Sequence, residues 1–527
     1  MFYSLLPLSV ENSVRRVGLG AVCMLIGVLA GCEPNPVIQG QAAPPPAKVA
    51  DPVAVPVARG AQVPARPGDQ DAAAPDRPAP KTPLARGLTE LLDSNPALED
   101  DVKQPLRDQL LQADDILSGV KSQNRAVLRE VNRQQRHRRS DSPNIVMVIV
   151  DRLGMGELSC YGPSENRTPY LDQLARQGSR LTQFYTGSPD PAAAHWCLAT
   201  GRRPDEASWS KGVPVLLSED LTIGEAMWQA GYTTALFGDW GVSGLQGPAT
   251  PADQGFDEWL GAFGPVTESQ PFPATLLHNG KPLKLTKNAG GEQGQLAQDF
   301  YVSEAADFLS RHYRQRPMFV QVYLSAAQTP AAPDRAAAIA RLDQDVGKLL
   351  KKLDELKQLA NTIVIVTSVT AGPASTEAKD STALRGSSGE LYEGGLRVPL
   401  IICGTRRIPA GESAVVAAAW DLAPTVYDLV GAQKRPAVKS GQSLRKFMQP
   451  NSQLPTRFLY WEAKHGTSEI AARWQNWKVV RHADQTTFEL YDLSSDPGEK
   501  HDVAAEHPDA IAEIKKRIAP SGEQATR

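Results

Sequence analysis

The chain predicts an α/β fold in which a large, mostly parallel sheet is sandwiched by helices. Three observations carry this expectation. Apolar, β-branched runs of strand length recur at Pro143–Val150, Met318–Leu324 and Thr362–Val366, which is how strands buried on both faces read. Helical patterns lie between the strand-like runs: Phe300–His312 is amphipathic, and Arg341–Leu359 places Leu342, Val346, Leu349, Leu350 and Leu353 on one face. Ile223–Gly231 reads as a helix closed by a glycine and leads straight into the strand-like Tyr232–Phe237. Strands that alternate with helices are joined by crossovers, and crossovers make parallel sheets covered on both sides.

In chain order, residues 1–31 read as a targeting segment. Arg15 and Arg16 form its positive flank, and Val17–Ala30 is an apolar run short for a bilayer span. The run ends Leu29-Ala30-Gly31-Cys32, which looks like a bacterial lipobox with Cys32 as the lipid-bearing residue. An ordinary cleaved signal or a short membrane anchor is the alternative. Residues 32–85 are Pro, Ala and small polar residues, including Ala43–Pro46 and Pro75–Pro80, and bury too little apolar surface to fold. They are expected to act as a tether. In residues 86–141 Leu106, Leu110, Leu117, Val120, Val127, Leu128 and Val131 recur at roughly helical spacing among charges. Two readings stand: a solvated stalk packed on its own domain, or a hairpin that binds a protein partner.

The large domain is expected over residues 142–434. Its opening strand ends at Asp151, and a carboxylate at the tip of a buried parallel strand points to a site. Gly154, Gly156, the helical Thr168–Gly178 and a strand over Arg180–Tyr185 lead into Ser188–Pro204. There Asp190 suits the N-cap of a helix and Pro191 its first position. With 56 Lys and Arg against 59 Asp and Glu in 527 residues, nothing in the charge balance points to nucleic acid. Five cysteines do not make a dense disulfide framework, so packing must stabilise the fold.

Taken together these motifs resemble the sulfatases of the alkaline phosphatase superfamily. The family pattern is a strand ending Asp-Asp-Leu-Gly, then Tyr-Gly, Thr-Pro-Asn-Leu-Asp-Arg-Leu-Ala, and a Cys-x-Pro-Ser-Arg helix closing on Leu-Thr-Gly-Arg-x-Pro. Here the frame is Asp151-Arg152-Leu153-Gly154, Tyr161-Gly162, Thr168–Ala175 and Ala199-Thr200-Gly201-Arg202. Later, Tyr392-Glu393-Gly394-Gly395-Leu396-Arg397-Val398-Pro399 and Asp421-Leu422-Ala423-Pro424-Thr425 resemble two further family motifs. The resemblance also implies that residues 435–527, with Phe458–Trp461, Trp477–Arg481 and Glu489–Lys500, form a small antiparallel subdomain with a terminal helix.

Sulfate-ester cleavage needs an in-line nucleophile, a divalent cation, cationic clamps and an acid for the leaving oxygen. The resemblance assigns the nucleophile, a formylglycine made from Cys or Ser, to the position of Pro191, which cannot become an aldehyde. His195 stands where an arginine stabilises that group. Cys197 lies deeper in the helix and is expected to be a small buried residue. Of the metal carboxylates Asp151 remains, but its partner position is Arg152, and the later Asp-Asn pair is replaced within Thr367–Gly372. The clamp lysine becomes Asp239 and the following histidine Gly241, while Gln328 and Ser388 replace a further His and Lys.

These departures lead to the expectation of a catalytically degenerate member, a pseudo-sulfatase with no catalytic residues, in which calcium and formylglycine are absent. The degenerate pocket would comprise Asp151, Arg152, Pro191, His195, Asp239, Gln328 and Ser388. Arg152 is expected to pair with one or both aspartates in place of the metal, a solvated Arg152 being the alternative. The expected role is a non-catalytic binding or scaffolding protein, lipid-anchored through Cys32 in the bacterial cell envelope, for a sulfated or other anionic glycan or for a protein partner at 86–141. An active sulfuric ester or phosphoester hydrolase with a rearranged site is the alternative.

Overall fold

The structure is a computed structural model. It describes residues 103–104, 106–108, 111 and 142–522, the last span without 163, 165, 211, 218–219, 243–249, 263–269, 327–333, 374–383, 405–407, 433–439, 449–454, 464–468 and 484–485. The expected targeting segment, Cys32, the tether, nearly all of 86–141, and Gln328 lie outside the described residues. The described positions between 103 and 111 are helical, with Gln104 Nε2 donating to Asp108 Oδ1 one turn on (2.9 Å).

The strand at the centre of the sheet, β1 (Asn144–Asp151), explains the architecture. Its residues alternate between two cores: Ile145, Met147 and Ile149 enter one, Val146, Val148 and Val150 the other. All six are at most 1% exposed, and each such side chain contributes about 1.5–3 kcal/mol by leaving water. A strand apolar on both faces is stable only with layers on both sides.

Nine further strands complete the main sheet: β2 (Ser179–Leu181), β3 (Thr233–Phe237), β4 (Glu258–Gly261), β5 (Thr275–His278), β6 (Lys281–Lys284), β7 (Met318–Ser325), β8 (Thr362–Ser368), β9 (Leu400–Cys403) and β10 (Gly411–Ser413). They lie in the order β10-β2-β9-β8-β1-β7-β3-β4-β5-β6. The five central strands β8, β1, β7, β3 and β4 run parallel, and antiparallel pairings appear toward both edges. The expected parallel centre is therefore present. The expected strand over Arg180–Tyr185 is broken: β2 stops at Leu181, and Phe184–Tyr185 pairs instead with Ala417–Ala418.

The described helices are α1 (Pro169–Gln177), α2 (Pro191–Thr200), α3 (Ile223–Gln229), α4 (Ala297–His312), α5 (Arg335–Glu355), α6 (Leu422–Leu429) and α7 (Pro508–Gly522), besides single turns. Helix α5 starts six residues before the expected Arg341, because the Asp334 side chain caps it by accepting from Ala337 N (2.7 Å). Helices α1, α4 and α5 bury their apolar faces in the Val146 core, and α2, α3 and α6 in the opposite one. Among the described residues no helix is long and apolar enough to cross a membrane.

The small C-terminal sheet is antiparallel, β11 (Phe458–Glu462), β12 (Ile470–Trp474), β13 (Trp477–Arg481) and β14 (Glu489–Asp492), as the resemblance implied. One face, through Leu459, Trp461, Ala471 and Val480, joins a main core; the other packs under α7 through Ile514.

Candidate functional site

In parallel sheets, ligand sites lie beyond the carboxyl ends of the strands. Here β1, β7 and β8 end in register, with Asp151 beside Ser325 and Val150 beside Ser368. The chain then leaves β1 through Arg152, whose φ of 61° is uncommon for a residue with a side chain. Two anchors hold this turn. Leu153 N donates to Ser368 Oγ (3.0 Å), and Arg335 on α5 donates to the Arg152 carbonyl (2.5 Å) and to both oxygens of Glu157 (2.5 and 2.6 Å).

Asp151 is largely buried, at 15% side-chain exposure. Its Oδ1 accepts from Thr370 Oγ1 (3.2 Å). Burial raises its pKa above the ordinary carboxylate value, Arg152 and Thr370 oppose the rise, and Asp239 adds to it. Arg152 reaches Asp151 Oδ2 at 3.8 Å, with half of its side chain exposed. The expected pairing is thus loose. The left-handed turn directs the guanidinium toward water, so it does not fill a buried cation's place between the two aspartates.

Helix α2 begins as its sequence predicts. Asp190 accepts from Ala193 N (2.9 Å), Pro191 occupies the first position, and left-handed Gly201 ends the helix. One turn in, His195 is 1% exposed, and neither ring nitrogen has a hydrogen-bond partner among the described residues. Burial lowers its pKa to about 4, so the ring is neutral at physiological pH. Cys197 is the small buried residue expected of it. A Cβ on Gly187 would come within 2.5 Å of the Cys197 Cβ, and burial holds the thiol well above its usual range.

Asp239 follows β3. The intervening Gly238 has φ 120°, and a Cβ there would meet the Tyr323 backbone and Cβ at 2.6 Å, so only glycine lets the loop pass. Tyr301 on α4 donates to Asp239 Oδ1 (3.2 Å). Asp151, Asp239 and His195 line one cleft, of about 720 Å³ including its open mouth, together with Tyr301, Tyr323, Gln298, Ser325 and Arg341. The Tyr323 hydroxyl is buried and has no partner among the described residues, and its ring lies 5.3 Å from that of His195.

The structure therefore gathers three expected residues, Asp151, His195 and Asp239. Arg152, Pro191 and Ser388 do not line this cleft; Ser388 lies in a turn, its N–H donating to the Gly372 carbonyl (2.9 Å). Sequence reasoning passed over Tyr301, Tyr323, Arg341, Thr370 and Arg335. Tyr323, close to the carboxyl end of β7, carried a usable signal: a hydroxyl-bearing residue near the tip of a strand adjacent to β1.

The donor set does not fit a calcium ion, which takes 6–8 oxygen ligands. Among the described residues no three His, Cys, Asp or Glu side chains gather around a common point. Asp151 is the one carboxylate at its strand end, an oxygen of it already accepts from Thr370, and Val369 beside it is apolar and 1% exposed.

A parallel-centred sheet between two helical layers, a site at the end of its middle strand and a capped helix beside it fit the alkaline phosphatase class of α/β proteins. Within that class the chain belongs to the sulfatase family. The sulfatase family model matches residues 143–432, and the model for the C-terminal part of N-sulphoglucosamine sulphohydrolase matches 389–524. Human arylsulfatase A is 29% identical over 441 residues, covering 71% of this chain and 86% of that protein. An N-acetylgalactosamine-6-O-sulfatase of Bacteroides thetaiotaomicron is 23% identical, covering 72% and 93%. In fold, the PsFucS1 sulfatase of a Pseudoalteromonas species superposes with a TM-score of 0.59 at 22% identity, covering 78% of this chain and 94% of that one.

Proposed function

We propose that this sulfatase-family protein is a non-catalytic binding or scaffolding protein, tethered to the bacterial cell envelope by a lipid on Cys32. One observation carries the reading. Pro191 holds the first position of α2, where the family resemblance puts the formylglycine, in a helix start whose cap is intact. A tertiary ring nitrogen and an alkyl ring offer no nucleophile, and Ala192, Ala193 and Ala194 follow in place of the polar modification motif. The surroundings support it: Val369 and Thr370 replace metal ligands, and Asp239 replaces a cationic clamp.

One feature favours the alternative of a hydrolase with a rearranged site. Asp151 with its raised pKa and the neutral imidazole of His195 share a cleft, and perturbed groups in clefts are candidates for acid–base work. The two readings are separated by metal analysis of the purified chain and by an aryl sulfate and aryl phosphate panel. No turnover and no stoichiometric calcium are expected. Turnover abolished by Asp151→Asn would overturn the non-catalytic reading. Residues 86–141 are the proposed contact for a protein partner, so their deletion should abolish capture of that partner in a pull-down.

A further inference from the structure

We propose that the cleft takes an uncharged ring carrying adjacent hydroxyl groups, the layout of a neutral monosaccharide, rather than the sulfated or other anionic glycan expected from the sequence. This deepens the binding reading by naming a ligand class, and it rests on that reading. The formal charges that line the cleft already have partners. Asp151 has the Arg152 guanidinium at 3.8 Å and the Thr370 hydroxyl at 3.2 Å, Asp239 accepts from Tyr301 (3.2 Å), and Arg341 donates through Nη2 to Asp299 (2.5 Å). An ionic ligand of either sign would have to compete for one of these contacts while giving up its own hydration.

What stays unmatched is hydrogen-bonding capacity. His195, Tyr323 and Arg341 all line the cleft. Both ring nitrogens of His195, the hydroxyl of Tyr323 and Nε of Arg341 are buried without hydrogen-bond partners among the described residues, and the first two side chains are 1% and 6% exposed. Buried polar groups are ordinarily paired, so unpaired atoms on three residues around one cleft point to an occupant.

The unmatched set is mixed, and the mixture selects the ligand. A neutral imidazole has one donor and one acceptor, a phenol can do either, and a guanidinium N–H only donates. A sulfate or carboxylate only accepts, so it leaves the imidazole acceptor unmatched; an ammonium only donates, so it leaves the Arg341 N–H unmatched. A hydroxyl does both through one oxygen. The His195 and Tyr323 rings are centred 5.3 Å apart, within reach of neighbouring hydroxyls on one small ring. Leu296 and Ala297 supply apolar wall for the C–H face of such a ring. The unpaired atoms are closed to water, so a hydroxyl that reaches them as the side chains adjust displaces no bond to solvent.

Isothermal titration of the full purified chain at neutral pH with glucose, galactose and mannose, each beside its 6-sulfate and its 2-amino counterpart, tests this. At least one neutral sugar should bind at least about tenfold more tightly than both of its charged counterparts. Tyr323→Phe keeps the ring and removes the unpaired hydroxyl. It should weaken that sugar about fivefold and leave the thermal stability of the unliganded chain unchanged or raised, whereas loss of a hydroxyl with a structural partner would lower it. Arg341→Lys keeps a cation for Asp299 and loses the Nε–H, so it should also weaken the sugar. Circular dichroism establishes that each variant is folded. No binding of any of the three neutral sugars by folded protein, tighter binding of a sulfated or amino counterpart, or full affinity in either variant overturns the proposal. A sulfated sugar bound more tightly without hydrolysis would do so while leaving the non-catalytic reading intact; hydrolysis of an aryl sulfate would overturn that reading instead.

Discussion

The imidazole of His195 rests on the α-carbon of Gly241: a Cβ at 241 would fall 2.7 Å from the ring Cγ and 2.8 Å from Nδ1 and Cδ2. The family resemblance puts an arginine at the position of His195 and a histidine at that of Gly241. Their fit is mutual: the ring on α2 occupies the space that the missing Cβ leaves on the facing loop.

Gly241→Ala should therefore destabilise the protein by about 1–3 kcal/mol, through overpacking and through the left-handed φ of 71° that a Cβ opposes. Urea denaturation measures this. In a double-mutant cycle, His195→Ala should recover the overpacking part and leave the backbone part, giving a coupling of about 0.5–3 kcal/mol. Purely additive effects would mean that the two residues do not share the space.

A buried neutral histidine also makes stability depend on pH. His195 has a folded pKa of about 4 against an ordinary 6.5, so the unfolded chain binds its proton first. Its contribution is present above pH 6.5 and is lost as the pH falls toward about 4. The loss is on the order of 3 kcal/mol, at 1.36 kcal/mol per pKa unit. Denaturation midpoints across that window should fall more steeply for the natural chain than for His195→Leu. Parallel curves would show that the ring is charged or solvated in the folded state.

The strands and the start of α2 were legible because local composition decides them. An apolar β-branched run such as Val146–Val150 has no other stable placement, and Asp190-Pro191 satisfies a helix end within a few residues. The hairpin between β5 and β6 was also written locally and was passed over: Asn279-Gly280 supplies the two positive φ angles, 50° and 80°, of a tight turn. The direction of Arg152 was not legible. It depends on a backbone turn pinned by Arg335, 183 residues later in the chain. The pairing of His195 with Tyr323, and of Asp239 with Tyr301, likewise joins distant segments. A single sequence shows that charges were exchanged around a pocket, but not which of them face it.

Restoring the nucleophile position alone should not restore chemistry. Pro191→Ser is tolerated by the helix, since Asp190 still caps Ala193 N, and should change stability by about 1 kcal/mol or less. On the proposed non-catalytic reading aryl sulfate turnover should stay at background, because Val369, Thr370 and Asp239 still stand where the family resemblance puts metal ligands and a cation. Turnover in this variant, measured with an aryl sulfate in the presence of added calcium, would show that the surrounding site had stayed competent.

The last prediction concerns Lys478, which is fully buried on β13 between Glu393 (3.0 Å) and Glu499 (2.8 Å). Glu393 opens the helical turn Glu393–Leu396 that precedes β9, and Glu499 follows β14, so this ammonium ties the small sheet to the large domain. Burial opposes ionisation of Glu393, but Lys478, Arg397 and Arg473 outweigh it and hold its pKa near 2. Burial, with Glu393 beside it, instead pushes Glu499 up to about 7. Two nearby carboxylates around one cation respond in opposite directions, as a shared charge requires. Lys478→Met removes the cation and leaves both acids in the interior, so it should cost about 3–5 kcal/mol. Glu499→Gln, which replaces the acid that ionises with difficulty, should cost distinctly less. Chemical denaturation at neutral pH ranks the two. Below pH 4.5 the Glu393 contribution falls away toward pH 2, so the penalty of Lys478→Met should shrink there. Equal penalties for the two variants at neutral pH would show that the cluster is not held by charge.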